Sequence, residues 1–128
     1  MAQFPVLVGK TTFSKMALAA LYNVPGSPEE LAQWSFAHAA HHRDLIAAIK
    51  RQFNLDTPNQ YVLDPMNPND MGTWIYQHQD MHLTLDAQIG LAGFDLTDVN
   101  WQDRGQLAGW IFLNAAEHYN ASLILGVG

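Results

Sequence analysis

With 128 residues, 48% of them apolar and 14% charged, the chain is long enough for one domain with a real core and too apolar to be disordered. Its net charge of −6 includes only six basic residues, scattered from Lys10 and Lys15 through Arg43, Lys50 and Arg51 to Arg104, which argues against a phosphate-tracking nucleic-acid surface. Cysteine is absent, so no disulfide, thiolate nucleophile or cysteine–zinc site exists, and no apolar run is long enough to span a bilayer.

Residues 1–10 (MAQFPVLVGK) read as an extended apolar arm broken by Pro5, without the basic start of a signal peptide. Thr11 or Thr12 can cap a short helix ending near Tyr22, before the breaker Asn23-Val24-Pro25-Gly26. Ser27-Pro28-Glu29-Glu30 is a capping box with proline at the first helical position, and predicts a helix to about Phe53. Residues 54–67 form a long connection that should be packed or functional. Asn67-Pro68 opens a helix expected to run to about Ala92 and to end on Gly93 as a left-handed cap. Asn100, with Asp103 three places on, is expected to cap the last helix, and the apolar tail after it should dock. The fold class is therefore all-α: a single bundle domain over 1–128, with one short and three long helices.

Three segments share one pattern: Trp34-x3-His38-x3-His42, Trp74-x3-His78-x3-His82 and Trp110-x3-Asn114-x3-His118. An aromatic follows each Trp two places on, at Phe36, Tyr76 and Phe112. Residues four apart lie on one helical face, so each ladder projects its rungs one turn apart. With neighbouring helices antiparallel about their connections, the polar rungs meet near mid-height, His118 falling about two residues too far along. Neutral imidazoles at one level suit a transition metal, zinc or iron. The ligand candidates are His38, His42, His78, His82 and His118, with His41 and Glu117 as further candidates. Asn114, Asp80 and Tyr119 are placed around them, orienting the rings. Trp34, Trp74 and Trp110 are read as packing anchors. The competing readings are a metal-free hydrogen-bonded network, sensitive to acid through its histidines, and histidines left mostly exposed. No catalytic residue is assigned.

His78-x3-His82 resembles the HxxxH motif of hemerythrin-like and DinB-like metal bundles over that one helix. That resemblance implies a metal-dependent binding protein or enzyme, but the HxxxE and HxxxxD motifs of the hemerythrin-like family are missing. The runs SFAHAAHHRDL, YVLDPMNPNDMGTWIYQHQDMH, AGFDLTDVNWQD and LNAAEH resemble small proteins of tailed bacteriophages. This resemblance implies a virion or assembly component, located in the cytoplasm or the virion. The low charge agrees, because a small monomer ordinarily needs more of it to stay soluble. The expected function is non-enzymatic: a structural or interaction subunit, forming a homo-oligomer or packing on other subunits, with a histidine cluster at its centre.

Overall fold

The computed structural model describes residues 18–57, 60, 62–64, 66–67 and 69–127. The arm expected at 1–10 and the start of the first helix lie outside these residues. Among the described residues the fold is all-α. The short first helix, α1, is present as its final turn over 18–20, and α2 (Pro28–Phe53), α3 (Asp70–Ile89) and α4 (Arg104–Leu125) follow. None of these helices is long and apolar enough to cross a membrane.

Local chemistry sets the ends. Ser27 Oγ accepts the Glu30 N–H at 3.1 Å, and Glu30 Oε1 reaches back to the Gly26 N–H at 2.6 Å, one residue beyond the usual capping-box donor. Glu29 and Glu30 in the first turn of α2, and Lys50 and Arg51 in its last, complement the helix dipole. Two expected boundaries are corrected. Helix α3 ends on Gly90, whose φ of 72° makes it the left-handed cap, three residues before Gly93. The N-cap of α4 is Asp103, whose carboxylate accepts the Gly105 and Gln106 N–H groups; Asn100 forms a turn ahead of it by accepting the Gln102 N–H.

The largest correction concerns direction: the three long helices run parallel. Trp34, Trp74 and Trp110 meet at one level, with ring centroids 5.7–6.0 Å apart. Near the C-terminal ends of α2 and α4, Gln52 Nε2 donates to the Leu125 carbonyl. At the opposite end, an Arg104 guanidinium N–H donates to the Pro25 carbonyl. Parallel neighbours need connections that retrace a whole helix. At about 3.3 Å per residue, the segments between α2 and α3 and between α3 and α4 are long enough to retrace helices rising about 1.5 Å per residue. Both returns are pinned to the bundle, the second by Leu96, whose carbonyl accepts the Trp110 indole N–H at 2.8 Å.

This arrangement gives the bundle an approximate threefold repeat with three layers. Trp34, Trp74, Ile75, Trp110, Ile111 and Leu96 belong to one apolar cluster, and Leu45, Ile49, Met81, Leu85, Ala121 and Leu125 to another. Complete burial of a side chain such as Ile49 or Ile111 contributes about 1.5–3 kcal/mol. Between the two apolar layers lie the histidines.

Candidate metal centre

Because the helices are parallel and in register, equivalent rungs of the three ladders form triangles. The first is His38, His78 and Asn114. Its edges are 3.1 Å between the two Nε2 atoms, 3.0 Å from His78 Nε2 to Asn114 Oδ1 and 3.3 Å from His38 Nε2 to Asn114 Oδ1. One turn further on is the second, His42, His82 and His118. There His82 Nε2 lies 3.2 Å from both His42 Nε2 and His118 Nε2. The two triangles touch, His118 Nε2 standing 3.1 Å from His38 Nε2. All six side chains are buried, none more than 4% exposed.

Protons alone do not satisfy this arrangement. An imidazole nitrogen carries either a proton or a lone pair, so it donates once or accepts once. His38 Nε2 nevertheless has three polar neighbours within 3.3 Å. The surrounding hydrogen bonds sharpen the conflict. His82 Nδ1 lies 2.8 Å from Glu117 Oε1, an acceptor, so Nδ1 carries the proton and the neutral ring turns an Nε2 lone pair inward. On the far side His118 Nδ1 is 2.7 Å from His41 Nδ1, and His41 Nε2 is 2.9 Å from Ser122 Oγ. A donor role for His118 Nδ1 sets its Nε2 lone pair against that of His82. In addition, the buried nitrogens His42 Nδ1, His78 Nδ1 and Asn114 Nδ2 have no hydrogen-bond partner.

Converging lone pairs are what a cation requires. The five ring nitrogens of His38, His42, His78, His82 and His118 all lie within 4.8 Å of one another, and this buried cluster can hold a metal ion. The edge of an octahedron is √2 times its centre-to-vertex distance. Edges of 3.0–3.3 Å, as in the six contacts given above, would set an octahedral ion about 2.1–2.3 Å from its donors, close to the roughly 2.0–2.1 Å of zinc–imidazole bonds.

Burial also holds the rings neutral, the form that binds metal. It lowers the pKa of His38, His42, His78 and His118 well below the ordinary value, and nearby histidines push in the same direction. His41 falls to about 4 through burial, with Asp44 opposing. Beyond His82 sits a carboxyl pair. Burial and the facing Glu117 raise Asp86 to about 9. Burial works against the Glu117 carboxylate, but hydrogen bonds from His82, Asp86 and the Phe94 N–H outweigh it and lower Glu117 to about 2.

Several residues occupy places other than those expected. Asn114, expected outside the cluster, turns Oδ1 into it as the third member of the first triangle. His41 and Glu117, considered as ligands, stand behind His118 and His82 as hydrogen-bond partners. Asp80 and Tyr119, considered as orienting groups, face solvent on α3 and α4. His118 lies level with His42 and His82, because the two-residue offset arose from assuming antiparallel helices. Ser122 and Asp86 were not anticipated as parts of the centre. Asp86 had a signal in His82-x3-Asp86, one turn along the same face.

The Trp layer closes one end of the site. Trp34 stacks on His38 at 4.7 Å and Trp74 on His78 at 4.4 Å between ring centroids. The other faces of this layer line an apolar cavity of about 340 Å³ at the end of the bundle. Comparisons with protein-family models, curated proteins and solved structures find no match to the chain.

Proposed function

We propose that this protein is a structural subunit whose three parallel helices are locked in register by one divalent first-row transition ion, held by His38, His42, His78, His82, His118 and Asn114. The carrying observation is the pair of donor triangles, whose contacts no set of neutral tautomers satisfies. Six protein donors favour an octahedral ion in the iron-to-nickel range over tetrahedral structural zinc. Magnesium and calcium prefer oxygen ligands. Glu117 behind His82 and His41 behind His118 orient two of the rings. Such a donor set supports a non-catalytic role, because catalytic metal sites keep a position open for water or substrate. Bound there, the ion contributes folding energy by joining all three helices. The test is elemental analysis of protein purified without an affinity tag, followed by thermal unfolding with and without a chelator. The expected result is a bound transition metal and a melting temperature lowered by chelation. Metal-free protein whose melting is indifferent to added iron, cobalt or nickel refutes the reading.

A place in a larger assembly is supported by a separate observation. Phe36, Tyr76 and Phe112 are 67%, 64% and 61% exposed. Each lies two residues beyond a buried Trp and so points away from the core, giving every repeat an outward aromatic. Leu123 and Ile124 extend the exposed apolar surface on α4. Together with the phage-like sequence runs, this supports a virion-type subunit. Light scattering at low micromolar concentration is expected to show association that Phe36→Ser and Phe112→Ser weaken. A wild-type monomer, indifferent to both changes, contradicts it.

A further inference from the structure

The carboxyl pair behind His82 has more capacity than orienting one ring requires. His82, Asp86 and Glu117 each offer a ligand atom, and the three atoms lie within 4.8 Å of one another. All three residues are buried, at 4%, 5% and 2% exposure. Asp86 Oδ2 is buried without a hydrogen-bond donor. Two buried carboxyl groups side by side need a proton or a cation between them.

The chain above this pair lies directly on it. Gly93 is exposed, and a Cβ built there would overlap Asp86 Oδ2 and stand 2.9 Å from Glu117 Oε1. The glycine does not have positive φ, so space rather than backbone conformation makes a side chain unsuitable. The neighbouring Phe94 N–H donates to Glu117 Oε2 at 3.0 Å and fixes that carboxylate. Two carboxyl groups thus lie just under the chain at Gly93, beside a ring whose other nitrogen faces the six-donor centre.

Resting on the six-donor reading, we propose that His82 Nδ1, Asp86 and Glu117 form a second divalent-cation site, making the centre dinuclear with the His82 ring as an imidazolate bridge. Loading it releases two protons to solvent: the one on His82 Nδ1 and the one held between the carboxyl groups. Two positive charges enter as two leave, so the net charge in the interior is unchanged and the usual penalty for burying added charge is avoided. The mixed nitrogen and oxygen donors suit the same iron-to-nickel range of ions as the six-donor centre.

The experiment loads the metal-stripped full chain with cobalt(II) alone at pH 7.5, removes the excess by gel filtration and measures cobalt per chain. Wild type is expected to retain two. Asp86→Asn keeps the shape and a donor toward Glu117, and is expected to retain one. Gly93→Ala keeps both carboxyl groups but sets a methyl against Asp86 Oδ2 and Glu117 Oε1, which must move apart from it, and is also expected to retain one. It serves if Asp86→Asn loses its helical circular dichroism. One cobalt in wild type and in both variants overturns the second site and leaves the six-donor centre standing. Two cobalt ions in every protein also overturns the assignment. One in wild type and none in Asp86→Asn instead refutes the six-donor reading, and no retained cobalt in wild type refutes both.

Discussion

Acidifying the metal-stripped protein should unfold it steeply, and the buried rings determine the slope. Five histidines, His38, His41, His42, His78 and His118, have lowered pKa values in the fold. In the unfolded chain each titrates near 6.5. Below that pH the unfolded state binds protons that the folded state refuses, so stability falls as pH falls. Each ring contributes about 1.4 kcal/mol per pH unit, or about 7 kcal/mol per unit for five. Asp86 opposes this. It is protonated in the fold up to about pH 9 but ionised in the unfolded chain above about 4, so it removes at most one ring's share. The remaining slope is about 5–6 kcal/mol per unit. Against a typical stability of about 5–15 kcal/mol, unfolding is reached between about pH 4 and 5.5. On the alkaline side Asp86 makes stability decline gently, placing the maximum near neutrality. Urea unfolding in the presence of chelator, followed by tryptophan fluorescence from pH 4.5 to 8, measures the slope. A midpoint that does not move between pH 5 and 7 means instead that the rings are either hydrated or already charged in the fold, and rules out their burial as neutral groups.

Glu117→Gln should weaken metal binding about 10- to 100-fold in a competition titration, because His82 loses its charged partner. Ser27→Ala removes the acceptor for the Glu30 N–H and should cost about 1 kcal/mol in chemical unfolding, with metal content unchanged. Gly90→Ala forces a Cβ into a backbone with φ of 72° and should cost about 1–2 kcal/mol by the same assay, although its Cβ meets open space.

Much of this could be read from residue spacing. The capping box at Ser27 to Glu30 located the start of α2, and the ladder Trp34-x3-His38-x3-His42 marked its buried face. The three Trp-x3-rung-x3-His ladders identified the layer where the polar groups gather. Helix direction was not legible, because caps and hydrophobic periodicity read the same along parallel and antiparallel neighbours. The returns after Phe53 and Ile89 are long enough for either. Direction decided the details: once the helices are parallel, identical ladders fall into register without offset. Asn114 then becomes the counterpart of His38 and His78, where residue type alone had placed it outside. Gly93 was mistaken for a cap because a glycine near a helix end usually is one. Here Gly90 supplies the left-handed turn, and Gly93 is needed for the space above Asp86 and Glu117. Helix phase put Asp86 on the face of His82, but Glu117 came to meet it through tertiary packing, which no local pattern encodes.

X-ray absorption at the edge of the bound metal, on protein purified without a tag, reads the donor set itself. Six nitrogen or oxygen donors at about 2.1–2.3 Å are expected, with the outer-shell scattering of several imidazole rings. Protein without a transition metal, or a metal whose spectrum lacks imidazole scattering, contradicts the six-donor centre.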